Sequence, residues 1–193
     1  VLDMQPETNH RKKTMFAGTN PERYDMEQKI PNYQPQFTRN MLQLNHGNRL
    51  GDTANIPFFS EIAQLAGVWQ TDWSWSVLMA DFDNDGWKDI QITNGLAKDL
   101  TNNDFLFFRT SRYINPVEEN KAIESSSASL RKDLDSYGSI KIKNYFYHNN
   151  GDLTFSNTTE LTGMDMPSIS HGAIYADLDN DGDLDMVMNN MNQ

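Results

Sequence analysis

The sequence predicts a mainly β chain, a fragment of a β-propeller built from four-stranded blades, with a helical insertion. Three observations support this. Two stretches, Phe59 to Asn94 and Phe155 to Asn190, match without a gap at an offset of 96 over 36 positions. Each holds an Asp-rich loop with the same spacing. Short apolar runs bounded by Asn, Gly and Pro recur four times per unit, as propeller blades require.

Each unit reads in the same order. Asn40 to Gly47 and Asn144 to Gly151 are apolar runs that end in an Asn/Gly turn, so each predicts a strand and its turn. A second strand is expected around Phe59 and Phe155. Leu65 and Gly67 recur as Leu161 and Gly163, marking the next turn, and Ser74 recurs as Ser170. A third strand enters the Asp loop. A fourth leaves it at Ile90-Gln-Ile92 or Met186-Val-Met188. Val1 to Met4 lines up with Ile92 to Gly95, so the chain reads as cut inside a repeat at both ends. The expected organisation is 1–36 as the end of a preceding repeat plus loop, 37–95 as one unit, 96–137 as a helical insertion and 138–193 as the second unit. In the first stretch, prolines 6, 21, 31 and 35 predict loop, with one short helix around Tyr24 to Lys29. In the insertion, Leu100, Asp104, Phe105, Phe108 and Tyr113 fall at near-helical spacing, and Val117 to Leu134 reads as a further helix.

The loops carry the chemistry. Asp81, Asp83, Asp85 and Asp89 stand at positions 1, 3, 5 and 9 of one, with Gly86 at position 6. Asp177, Asp179, Asp181 and Asp185 repeat them in the other, with Gly182. Carboxylates crowded this way repel one another unless a cation sits among them, and a hard cation with many oxygen ligands suits the spacing. Position 7, Trp87 or Asp183, is expected to give its backbone carbonyl. Position 12 is Ile92 or Met188 where an EF-hand needs Glu, and β-like sequence follows. Calcium is favoured over magnesium, which rarely takes an all-protein cage. The metal set is therefore Asp81, Asp83, Asp85, Trp87, Asp89, Asp177, Asp179, Asp181, Asp183 and Asp185, forming two Ca²⁺ sites.

These loops resemble the FG-GAP/VCBS repeats of calcium-binding β-propellers, including that of integrin α-subunits. More widely, the chain resembles the Bacteroidetes VCBS-repeat proteins similar to cartilage acidic protein. The stretches that carry this are Leu2 to Glu7, Arg11 to Phe16, Pro35 to Asn45, Asn144 to Gly151 and Ser170 to Gly182. The insertion matches more loosely through Leu96, Asp99 and Asn103 to Phe105. The resemblance implies a seven-bladed or similar ring, calcium in the blade loops and a secreted or outer-membrane location. Such a ring holds more repeats than 193 residues can supply.

Composition narrows the function. With 16 Lys+Arg against 27 Asp+Glu, the net charge of −11 argues against nucleic acid and against a polybasic membrane anchor. No apolar run approaches a membrane span. The absence of Cys removes disulfides and thiolate chemistry. His10, His46, His148 and His171 show no metal spacing and read as surface or turn residues. Of Trp69, Trp73, Trp75 and Trp87, Trp73 is the one expected outside the packed interior, as a sugar-stacking face. Ser74 and Ser170 read as turn-closing residues. The leading expectation is an extracytoplasmic calcium-binding module for adhesion, binding a glycan or extracellular protein, and not an enzyme. The alternative is a propeller-based polysaccharide-degrading enzyme with a cleft near the insertion, where Asp99, Asp104, Glu118 and Glu119 lie.

Overall fold

The fold comes from a computed structural model that describes residues 1–15, 21–33, 37–49, 51, 56–110, 132, 134–135 and 137–191. It is mainly β. The strands are β1 Gln43–Asn48, β2 Pro57–Glu61, β3 Ser74–Ala80, β4 Asp89–Asn94, β5 Tyr145–Asn149, β6 Phe155–Asn157, β7 Ser170–Ala176 and β8 Asp185–Asn190. They pair antiparallel as β1-β2, β3-β4-β5-β6 and β7-β8. Every strand expected from the repeat is present.

The sheets are out of phase with the sequence repeat. The four-stranded sheet joins the last two strands of the first unit to the first two of the second. The register Ile90↔Tyr147 and Ile92↔Tyr145 makes that join. A unit boundary at 95/96 therefore falls in the middle of one sheet. The intervening segment leaves and returns through a Leu96↔Ile140 bridge, with N···O distances of 3.0 and 2.9 Å. That holds the two ends of the intervening segment side by side.

Apolar side chains explain one face of this sheet. Ile90, Ile92, Tyr145 and Tyr147 pack with Ala63, Ala66 and Val68, while Leu2, Leu42, Trp69 and Phe155 close around them. Burying one such side chain contributes about 1.5–3 kcal/mol. Burial pushes the Tyr145 and Tyr147 phenols above their ordinary range, and Glu7, which accepts the Tyr145 hydroxyl, pushes the same way.

Polar side chains explain the rest. All six residues of β4 are buried, including Gln91, Thr93 and Asn94. Asn94 N–H donates to Asn144 Oδ1 (2.9 Å), and Ser74 donates to Asn94 Oδ1 (2.7 Å). Asn144 Nδ2 donates to Ser170 Oγ (3.0 Å), which donates to Asn190 Oδ1 (2.5 Å). The first unit repeats the pattern: Asn40 Nδ2 donates to Thr71 Oγ1 (2.6 Å), which meets Ser74 Oγ at 2.8 Å. Asp3 N–H donates to Asn40 Oδ1 at 2.9 Å, as Asn94 does to Asn144. Val1 and Met41 exchange two bonds of 2.9 Å, the place of Ile92 against Tyr145. The alignment of Val1 to Met4 with Ile92 to Gly95 thus has a structural counterpart. Ser74 and Ser170 are links in this hydrogen-bonded series.

The helices are short: α1 Asn9–Thr14, α2 Pro21–Gln28, α3 Ala63–Ala66 and α4 Asn103–Arg109. The expected helix around Tyr24 to Lys29 is α2, which begins earlier at Pro21, a residue suited to a first helical position. The near-helical run in the insertion yields α4, capped by the Asn102 side chain on Asp104 N–H at 2.9 Å. Phe105 anchors it edge-to-face on Tyr137 at 4.9 Å. Tyr113 and most of the expected 117–134 helix lie outside the described residues. α1 falls where loop was expected. Its sequence is polar throughout, and what holds it is tertiary: Arg11 forks onto Asp72 at 2.8 and 3.0 Å and lies 3.8 Å from Asp99. Burial opposes the Arg11 charge, but those carboxylates outweigh it and raise its pKa. α1 and α4 meet through a Met15↔Asn102 bridge. Asp72 and Asp99 flank the Ser74/Asn94 end of β3 and β4, so this assembly sits at the end of the sheet opposite the Asp-rich loops.

Gly95 has φ +131°, and a Cβ there would lie 2.6 Å from both Ile169 Cα and Ser168 O. Gly95→Ala is expected to cost about 3 kcal/mol or more, since backbone must move. Gly138→Ala, where a Cβ meets nothing within 4 Å, is expected within about 0.5 kcal/mol of wild type. Urea denaturation midpoints of the two variants test the contrast.

Candidate metal centre

Both Asp-rich loops are hairpin turns. One joins β3 to β4, closed by Ala80↔Asp89, and the other joins β7 to β8, closed by Ala176↔Asp185. The repeated sequence folds to a repeated backbone. Asn84 and Asn180 have φ of 60° and 61°, and Gly86 and Gly182 have φ of 93° and 94°. Asn and Gly tolerate the left-handed region best, which is why they stand at positions 4 and 6.

The first and last carboxylates of each loop hold its backbone. Gly86 N–H donates to Asp81 Oδ2 at 2.9 Å, and Gly182 N–H donates to Asp177 Oδ2 at 3.2 Å. Phe82 N–H donates to Asp89 at 3.3 Å, and Leu178 N–H donates to Asp185 at 3.0 Å. Asp85 and Asp181 accept from the position-7 N–H groups of Trp87 (2.7 Å) and Asp183 (2.9 Å). Asp89 is 1% exposed and also accepts Asn149 N–H at 2.9 Å. Burial pushes its carboxyl pKa up, against the pull of those two N–H groups.

The remaining oxygens converge. Asp177, Asp179 and Asp185 each offer an oxygen within 4.8 Å of the others. In the first loop, Asp83 and Asp85 form such a group with His148. Among the described residues, no Lys or Arg pairs with either cluster. Oxygen-rich clusters with their charge left uncompensated fit a hard divalent cation, so the residues present suit calcium. Trp87 is 53% exposed, its ring lying against Gly151, where a Cβ would be 3.1 Å away. Asp183 takes a different place from its partner position: its carboxylate accepts Asn84 Nδ2 at 2.6 Å, so the two loops touch.

His148 was expected as an ordinary surface or turn residue. Its Nδ1 lies 3.0 Å from Asp83 Oδ2 and 3.5 Å from Asp89 Oδ1. The signal that places it is register: Tyr147 pairs with Ile90, so residue 148 lands beside Asp89. The tryptophans also differ from expectation. Trp69 packs on the core, whereas Trp75 at 48% exposure and Trp87 stand out more than Trp73. Trp75 is held by a 2.6 Å bond to Gly95 O and lies against His171, the rings tilted at 45° with centroids 4.6 Å apart. Of the acidic residues considered for catalysis, Asp99 is engaged by Arg11, Thr101 and Asn102. Asp104 lies in the first turn of α4, and Glu118 and Glu119 lie outside the described residues.

Comparison with known families finds an FG-GAP-like repeat at residues 133–188. The match covers less than a third of the chain and takes in β5 to β7, the second Asp loop and most of β8. Neither the curated proteins nor the solved structures give a match.

The loop carboxylates separate by task. Asp89→Ala leaves the half-buried N–H groups of Phe82 and Asn149 without their acceptor, and is expected to cost about 1–3 kcal/mol even in excess chelator. Asp83→Ala, at an exposed position, is expected to cost less than about 1 kcal/mol in chelator. Denaturant unfolding with chelator present measures both.

Proposed function

We propose that this chain is an extracytoplasmic calcium-binding module of the FG-GAP/VCBS propeller type, whose two Asp-rich loops hold structural calcium. The observation that carries the reading is repetition. Loops separated by 96 positions take the same backbone turn and gather carboxylates that, among the described residues, no Lys or Arg pairs with. A bound divalent ion supplies the compensating positive charge. Asp81, Asp83, Asp85 and Asp89 would hold one ion, and Asp177, Asp179, Asp181 and Asp185 the other, with the carbonyls of Trp87 and Asp183.

The role is structural. Binding to the folded state alone stabilises it by RT ln(1 + [Ca²⁺]/Kd) for each site. Sites in extracellular modules work at Kd of roughly 10⁻⁴–10⁻³ M, because ambient calcium is high there. The functional surface is then a separate matter. The α1–α4 assembly and the Trp75/His171 pair lie at the other end of the strands, where a glycan or an extracellular protein would dock. An aromatic face suits the apolar face of a sugar.

A thermal melt tests the cation reading. Millimolar calcium is expected to raise the midpoint by several degrees over excess chelator, and magnesium is expected to do much less. Asp177→Ala should remove part of the calcium-dependent gain and leave the rest. A midpoint indifferent to calcium refutes the proposal.

A further inference from the structure

β4 and β8 are equivalent in sequence and opposite in exposure. Each begins on the ninth residue of its loop, Asp89 or Asp185, and ends on Asn94 or Asn190. All six residues of β4 are buried, whereas those of β8 are exposed or half-buried. The cause is β5. It lines the outer edge of β4, while among the described residues β8 pairs with β7 alone. Ile174 and Val187, paired across β7 and β8, also stand exposed.

β5 shows what such an edge accepts. Asn144 leads the strand and takes Asn94 N–H on Oδ1 at 2.9 Å, and Lys143 O beside it takes Asn94 Nδ2 at 2.9 Å. Asn149, five positions on, donates its N–H to Asp89 Oδ1 and its Nδ2 to Lys88 O, both at 2.9 Å. Between them Tyr145 and Tyr147 pair with Ile92 and Ile90. The first unit has Asn40 and Asn45 at the same two positions, and Asn40 Oδ1 takes Asp3 N–H. An edge with Asp at one end and Asn at the other is thus read by a strand with Asn at its first and sixth positions. A slip of one residue loses both contacts and turns the apolar side chains to the wrong face.

We propose that the outer edge of β8 docks an extended strand of another polypeptide, with Asn at positions one and six and large apolar side chains at two and three. Asn190 meets the first Asn, and Asp185 and the carbonyl of Leu184 meet the second. In strand addition, main-chain bonds supply affinity and side chains supply selectivity. Both described segments of this pattern in the chain are already engaged. β5 lies inside its sheet, and Val1 and Asp3 hold Met41 and Asn40. A second copy gives up those bonds to seat its own Asn40 to Asn45, which favours a different chain as the occupant. The inference goes beyond the cation reading and does not rest on it.

The probe is a labelled synthetic peptide of residues 143–158, titrated into the full chain and followed by fluorescence anisotropy. One peptide is expected to bind per chain. A peptide carrying Asn144→Ala and Asn149→Ala should bind roughly tenfold more weakly, because the side-chain bonds at both ends are lost. Met186→Pro in the chain removes a main-chain donor at the counterpart of Ile90, and should weaken binding by at least as much. A peptide that does not bind, or equal affinity for the peptide and its double variant, overturns the proposal. If Met186→Pro does not fold, amide NMR of wild type decides. The peptide must then shift residues 185–190, and shifts confined to β1, β4 or β6 overturn the inference. Self-association of the wild-type chain through β8, at concentrations where the peptide binds, makes the occupant a second copy and overturns it too.

Discussion

The fold depends on a buried run of amide and hydroxyl groups more than on any apolar contact. Asn144 is 3% exposed, and its side chain reaches Asn94 on one strand, Ser168 just before β7 and Ser170 at the start of β7 in the next sheet. Asn40 does the same for Asp3, Thr71 and the carbonyl of Val68. A buried amide without partners costs more than its hydrogen bonds return, so each Asn admits few arrangements of its neighbours. Apolar packing alone would let the sheets slide. These amides fix their spacing and register, and the same Asn, Ser and Asn recur in both units.

The Asp-rich loops follow from that registration. Each closes a hairpin whose last ladder pair is Ala–Asp, so the ninth carboxylate begins the next strand and is oriented by the ladder itself. Asp89 accordingly binds backbone first. The carboxylates that gather, Asp83 and Asp85 in the first loop and Asp177, Asp179 and Asp185 in the second, are those placed to share an ion. The first loop is more buried than the second because β5 lies alongside it, and β5 brings both Asn149 and His148.

Much of this was legible in the sequence. Both loops and the strands around them follow from the offset repeat, and β1, β5 and the counterpart of Val1 to Met4 follow from shorter matches beside it. The sheet boundaries do not. Repetition reports which residues are equivalent, not which neighbours pair, and the pairing of β4 with β5 crosses the insertion. α1 was hidden because nothing in Asn-His-Arg-Lys-Lys-Thr is amphipathic, and its anchor, Asp72, is 61 positions away from Arg11. His148 was hidden for the same reason: its chemistry depends on a cross-strand neighbour. The FG-GAP-like match at 133–188 is likewise set by the sequence period and spans two sheets.

That phase difference has a consequence for how such a chain can be lengthened or shortened. The unit that would be copied in a gene duplication is not the unit that folds. A newly inserted copy lends its first hairpin to the sheet before it and offers its second to the sheet after it, so it is stitched to both neighbours from the start. Excision along the sequence period reseals the two cut sheets with equivalent strands, and the array shortens without an orphaned edge. Excision of one whole sheet would achieve the same only if the cut fell outside the Leu96–Ile140 bridge, where the insertion is tied in.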